Sequence, residues 1–285
     1  MSIECKNPAN IASSFADSIC VKKVNLNFLS LSILGIFAGA FIGFGAELAT
    51  IIGHDMGKFV GVGLTKFMMG AAFSVGLMLV VIAGAELFTG NNLIVLSVLN
   101  KKVSIWGLLK NWAIVYVANI IGSLILVAIM YYSKLWEGGG QAIGVFSLKI
   151  AAAKANLTFW PAFFRGIGCN WLVCLAVWMA LSARATVGKV FAIFFPIMAF
   201  VASGFEHSVA NMFFIPMGMA LKGVQPIVAA SGIAAEKLQN LDLFGFLIRN
   251  EVPVTLGNIV GGAFFVGVLY WFAYVRKSKK ELKAK

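Results

Sequence analysis

Apolar residues run through this chain in long stretches separated by short polar links, and six of those stretches are long enough to be membrane spans. A helix needs about 20 predominantly apolar residues to cross a bilayer. On that measure the spans fall near 26–52, 64–99, 105–135, 160–181, 187–221 and 246–274. The second and fifth exceed a single crossing, and each carries a polar interruption near its middle. The first reads Gly84-Ala85-Glu86-Leu87-Phe88-Thr89-Gly90-Asn91, and the second reads Ser203-Gly204-Phe205-Glu206-His207-Ser208-Val209-Ala210-Asn211. Both contain Glu-x-x-x-x-Asn, so Glu86 pairs with Asn91 and Glu206 with Asn211. The expected form is a half-helix, a kink and a second half-helix. Non-helical backbone at membrane depth is tolerated only inside protein or along a cavity. Ionisable residues there normally face a protein interior or a water-filled path. Matched Gly-interrupted segments in two halves of a chain point to a transport site at the midplane, and the expected function is a conduit for something small and polar.

Composition supports a membrane protein. Hydrophobic residues make up 60% of the chain and charged residues 12%, about half the charged share of a soluble domain. Mean hydropathy is +0.92. A net charge of +12 would suggest nucleic acid in a soluble protein. Here the basic residues crowd into short links and the tail, as topology signals do, so no nucleic-acid partner is expected. With an even number of spans both ends share one face. That face then holds 14 of the 23 Lys and Arg, counting residues 1–25, 101–110, 184–189 and 276–285. Both termini are therefore expected in the cytoplasm, with the chain multi-pass in the cell membrane. Cys5, Cys20, Cys169 and Cys174 are scattered with no metal-ligand spacing, and neither metal nor cofactor is expected.

The two halves repeat landmarks in the same order. Asn119-Ile120-Ile121-Gly122 in the third span matches Asn258-Ile259-Val260-Gly261 in the sixth. Three spans per repeat force opposite orientations. The expected fold is all-α, an aquaporin-like protomer of six transmembrane helices in two inverted three-helix repeats, with the second and fifth helices broken. The chain divides into an amphipathic segment within 1–24, a first repeat over 26–135, a second over 160–276 and a basic tail over 277–285. Asn7-Pro8 followed by Ile11, Phe15 and Ile19 reads as a capped amphipathic helix. It lies on the membrane surface or on the bundle, a regulatory plug being the other reading. His54, in the link before the second span, reads as a solvated loop residue.

The residues 200–212, followed by Ile215-Pro216-Met217-Gly218, resemble the signature of the formate–nitrite transporter family. So do Gly84-Ala85-Glu86-Leu87-Phe88-Thr89, residues 170–178 and Pro253-Val254-Thr255-Leu256-Gly257-Asn258. Within that family the chain most resembles the clostridial hydrosulfide channel branch. The resemblance implies a homopentamer in the bilayer, each protomer having its own pore for small weak-acid anions: hydrosulfide first, then formate or nitrite.

It also implies roles. Thr89 would face His207 across the pore, and Phe73, Leu77, Leu87 and Phe200 would line constrictions above and below His207. Without the resemblance those four read as packing residues. His207 can offer a hydrogen bond or a proton to an anion, or else satisfy broken-helix carbonyls. Thr89 can instead cap the half-helix after it. Asn170 and Asn258 can offer uncharged N–H donors, and Asn119 can do the same or serve structure. Glu86 and Glu206 would repel an anion, so they are expected to hold the breaks by accepting backbone N–H groups. Lys154 would draw anions toward the pore, or serve as an interface lysine.

Two rivals are weak. An aquaporin-type channel for neutral solutes would carry paired Asn-Pro-Ala boxes, yet Asn7-Pro8-Ala9 precedes the first span. An intramembrane enzyme would need a motif such as HExxH or GxSxG, and neither is present.

Overall fold

In a computed structural model, residues 5–276 are described, and the expected basic tail over 277–285 lies outside them. The architecture is all-helical. Among the described residues, five helices are long and apolar enough to cross a membrane, or six when a pair bent by 108° is taken as one. A lead-in helix α1 (8–24) precedes α2 (Phe28–Gly84). Then come the short α3 (Gly90–Leu99), α4 (Ile105–Tyr132), α5 (Ala142–Ala155), α6 (Phe159–Ser182), α7 (Thr186–Ser203) and α8 (Ser208–Leu221). The chain closes through α9 (Gln225–Ser231), α10 (Ala235–Gln239) and α11 (Gly245–Val275).

Local chemistry sets the starts. Asn7 Oδ1 accepts the N–H of Asn10 ahead of Pro8, Asn27 does the same for Ser30, and Ser104 Oγ does so for Gly107. Each satisfies a first-turn donor that the helix itself cannot.

At 57 residues, α2 would be about 85 Å long if straight, far beyond a bilayer. It turns back at Gly61, whose φ of +78° leaves the helical region. Its two limbs then pack against each other, Gly45 against Phe73 and Gly53 against Met69. The link read from sequence between the first two spans is thus helical almost throughout. His54 is accordingly not a solvated loop residue: its side chain is 17% exposed and its Nδ1 lies 2.6 Å from the carbonyl of Ile51.

The two Asn-Ile-x-Gly matches acquire a physical meaning. A Cβ at Gly122 would collide with the carbonyl oxygen of Ile36, and one at Gly261 with that of Ile167. The glycines let α4 approach the first limb of α2, and α11 approach α6, backbone to backbone. Gly261→Ala is expected to destabilise the protein by about 1–3 kcal/mol, the usual range for an overpacked core. A thermal unfolding curve matching the wild type would contradict that close approach.

The lead-in helix packs on the bundle. Ile11, Ala12, Phe15, Ala16 and Cys20 are buried, Phe15 stacks on Trp178 at 5.4 Å, and Ser97 Oγ donates to the carbonyls of Phe15 and Ala16. Burial in this seat pushes the Cys20 thiol up to about 12.

Candidate functional site

Each polar interruption is a sharp break. Helix α2 ends at Gly84 with φ +95°, and α7 ends at Gly204 with φ +77°; both are left-handed conformations that glycine adopts without strain. The freed backbone groups are then stitched to neighbouring helices in the same way at both breaks. Glu86 N–H donates to the Leu34 carbonyl (3.1 Å), and Glu206 N–H to that of Arg165 (3.2 Å). Phe88 N–H donates to Asn119 Oδ1 (3.0 Å), and Ser208 N–H to Asn258 Oδ1 (2.9 Å). Asn119 Nδ2 donates to the carbonyls of Gly35 and Glu86, and Asn258 Nδ2 to those of Gly166 and Glu206. Broken backbone at membrane depth is thereby satisfied by protein.

A closed ring of four side chains reinforces each break. At the first, Lys23 Nζ donates to Glu86 Oε1 (2.8 Å) and Asn91 Nδ2 to Glu86 Oε2 (2.8 Å). Asn91 Nδ2 also donates to Asn111 Oδ1 (2.9 Å), whose own Nδ2 returns to the Lys23 carbonyl (3.3 Å). At the second, Lys154 Nζ donates to both oxygens of Glu206 (3.0 Å each), and Asn211 Nδ2 to Glu206 Oε2 (2.7 Å). Asn211 Nδ2 also reaches Asn250 Oδ1 (2.7 Å), and Asn250 Nδ2 reaches the Lys154 carbonyl (2.9 Å). Both glutamates thus take a lysine and an asparagine side chain, where the sequence suggested backbone N–H groups. Lys23, Asn111 and Asn250 are ring members that the sequence reading did not single out. Equal spacing could have found two of them: Asn111 precedes Asn119 by the same eight residues that separate Asn250 from Asn258.

Between the breaks lies a narrow space lined by Ile42, Phe73, Leu77, Leu87, Val173, Ile197, Phe200 and His207. Seven apolar side chains face one imidazole, and the space is too narrow for a water molecule. Phe73, Leu77, Leu87 and Phe200 therefore meet at His207 itself. Phe73 and Phe200 are edge-to-face at 5.5 Å, and the Phe200 and His207 rings are 5.9 Å apart.

Backbone geometry decides the tautomer of His207. It is the N-cap of α8, and Ala210 N–H donates to its Nδ1 (3.1 Å). Nδ1 is thus an acceptor without a proton, so the hydrogen of the neutral ring sits on Nε2. Nε2 lies 2.8 Å from Thr89 Oγ1 and donates to it. The threonine's own hydroxyl hydrogen stays free to donate elsewhere. An imidazolium would set two N–H groups against each other at Nδ1, so the cap itself disfavours the charged ring. Asn170 is fully buried behind this pair, its Nδ2 donating to the carbonyls of Thr89 and Asn258.

A cavity of about 730 Å3 opens on one side of the narrow space and shares Leu77 and Leu87 with it. Its walls bring together Lys6, Lys23, Arg184 and Lys189 against Glu86. A second cavity, about 460 Å3, is lined by His54, Asp55, Lys58, Lys66 and Val201, the neighbour of Phe200. Two chambers with basic residues set in largely apolar walls thus accompany a dry central passage.

The family model for formate/nitrite transporters matches residues 11–272. The chain belongs to the formate/nitrite transporter family. It is 43% identical to a probable formate transporter of Methanothermobacter thermautotrophicus, over 95% of this chain and 98% of that one. It is 39% identical to the formate channel FocA of Escherichia coli, over 95% of each. Its fold resembles a solved pentameric formate channel with formate bound, at TM-score 0.78 and 40% identity, covering 87% of this chain and 98% of that chain. A solved FNT family ion channel matches at TM-score 0.71 and 33% identity, over 94% and 95% of the two chains. As a member of the formate/nitrite transporter family, this chain is a multi-pass membrane channel or transporter and not an enzyme.

Proposed function

We propose that this protein conducts small monoanions of weak acids, formate foremost, through a pore within each protomer. The observation that carries the reading is the basic 730 Å3 cavity that shares Leu77 and Leu87 with a dry passage whose single polar lining group is His207. Lys23 and its basic neighbours raise the local concentration of anions on one side, and Lys154 does so on the other. A bare anion cannot enter the apolar ring without losing its water at great cost. Because the cap keeps His207 neutral, its Nε2–H orients Thr89, whose Oγ1–H is left to donate, and the ring does not supply a counter-charge. The anion therefore crosses together with a proton taken from the solvent in the vestibule and returned to solvent on the far side, and the crossing is electrically silent. Asn119 and Asn258 act as braces of the breaks, their N–H groups already engaged by carbonyls, and Asn170 fixes Thr89 from behind.

The same reading places six crossings in two inverted repeats, both termini in the cytoplasm of a cell-membrane protein, and five copies in the assembly. Support comes from the matching stitches and rings at the two breaks and from the pentameric formate channel it resembles. The sequence ranks hydrosulfide first on overall likeness alone. No side chain in the narrow space separates hydrosulfide, nitrite and formate, and the formate relatives move formate ahead.

The test is initial influx of formate, nitrite, hydrosulfide and glycerol into liposomes holding the purified protein, with membrane voltage recorded. Expected are rapid formate entry, exclusion of glycerol and no voltage change. Hydrosulfide outrunning formate would restore the hydrosulfide assignment. Glycerol entry without anion entry would remove the protein from anion transport altogether.

A further inference from the structure

Glu251 lies at the start of α11, two per cent exposed, and belongs to neither ring. Its polar contacts are hydroxyls: Tyr116 Oη donates to Oε2 at 2.7 Å, and Thr255 Oγ1 reaches the same oxygen at 3.4 Å. Tyr116 and Thr255 also lie 3.1 Å from each other. The other oxygen, Oε1, is buried without a partner. The charged groups acting on Glu251 are Lys154 and Glu206, and Lys154 gives both of its hydrogen bonds to Glu206. One cation thus stands among two carboxyls. A carboxylate buried with no cation of its own is strongly unfavourable.

Two further observations point the same way. Asn211 Oδ1 is also buried without a partner. It belongs to the side chain whose Nδ2 bonds Asn250, the residue before Glu251. A proton on Glu251 would turn the orphaned Oε1 into a donor and give the orphaned Asn211 oxygen something to accept. The first break shows the arrangement with a permanent donor. Trp112 follows Asn111 as Glu251 follows Asn250, and Trp112 Nε1–H donates to the carbonyl of Asn91 at 3.0 Å. At the first break the residue after the ring asparagine is thus a donor to the backbone of the half-helix asparagine, and at the second break the residue in that position is Glu251.

We propose that Glu251 is held as the neutral carboxylic acid and donates through Oε1 to Asn211, making it a proton-dependent positioning residue for the second break. Loss of that proton would set a second carboxylate beside Glu206, in competition for Lys154, and would remove a strut from the half-helix that carries His207. The groups that touch Glu251 are Tyr116 from α4 and Thr255 from its own helix; the charges that act on it are Lys154 from α5 and Glu206, both members of the ring that also holds Asn211 and Asn250. The inference concerns the brace and holds whichever anion crosses.

The test combines infrared spectroscopy with thermal unfolding of the detergent-solubilised wild type, E251Q and E251A. In mildly acid medium the wild type should show a protonated-carboxyl C=O band that shifts in D2O and disappears in E251Q. Its unfolding temperature should fall by about 2–4 °C or more on going to alkaline medium. E251Q, neutral at every pH and still a donor, should unfold near the wild type in acid and lose that decline. E251A should unfold lower than E251Q. The proposal is overturned if the band is absent or survives in E251Q, if E251Q keeps the alkaline decline, or if E251Q and E251A are equally destabilised.

Discussion

His207→Ala is expected to cut initial formate influx by roughly 10- to 100-fold, because two functions leave with one ring. In the dry passage the imidazole is the one polar side chain among seven apolar ones, and its Nε2–H holds the Thr89 hydroxyl so that this group's own hydrogen can donate. A hydrogen bond to a charged or strongly polar partner is worth about 1.5–3 kcal/mol, and each 1.4 kcal/mol is a factor of ten. The second loss is the cap on α8, where Nδ1 accepts from Ala210; removing a cap typically costs about 1 kcal/mol. His207→Asn separates the two, since asparagine caps helices well but cannot bring an aromatic donor to Thr89. It should recover most of the unfolding temperature and little of the flux. Wild-type flux in His207→Ala would reduce the residue to scaffolding, and full recovery in His207→Asn would mean that only the cap matters.

Lys154→Met should have the largest effect on stability. The lysine is 16% and Glu206 6% exposed, at 3.0 Å from each other. Removing one member of a buried pair leaves an uncompensated charge, a loss of about 3–5 kcal/mol, and the residual exposure of Lys154 places this case near about 3. For a chain of this size that is a fall of roughly 6–12 °C in unfolding temperature. The double variant Lys154→Met/Glu206→Gln removes the orphaned charge while keeping an acceptor for Asn211, and most of the loss should return. Lys23→Met should cost less, because Lys23 is 25% exposed and borders the large cavity. Equal unfolding temperatures for Lys154→Met and wild type would show that the second ring carries no stability.

The breaks themselves were legible because Glu86 and Glu206 violate an otherwise apolar pattern, and a violation at membrane depth is informative whatever the surrounding fold. That the chain is built of long apolar helices was legible by length. The link at 53–63 reads as a loop because Gly53, His54, Asp55 and Gly57 look like a turn in isolation, whereas the chain turns back at Gly61. Packing of Met69 onto Gly53 keeps that stretch helical, and such a tertiary contact leaves no local trace. Beyond the shared eight-residue spacing of Asn111 and Asn250, the rings leave little trace for a related reason. Lys23 stands in a polar lead-in and Asn111 and Asn250 near the starts of spans, where charged and amide residues are ordinary. His207 illustrates a third limit. Sequence places an imidazole at the break, whereas which nitrogen carries its proton depends on one backbone N–H three residues on.

The position equivalent to His207 in the first break is Leu87, each following its ring glutamate directly. Two similarly braced halves therefore surround a lining that is chemically lopsided, with the imidazole contributed by one half alone. Lopsidedness of this kind cannot make a one-way valve. A passage with no energy source of its own obeys microscopic reversibility, so the imidazole lowers the barrier equally for a molecule arriving from either end. Export and uptake are then the same event run in opposite senses, and the sense at any moment belongs to the concentrations of acid and anion on the two sides, not to the protein.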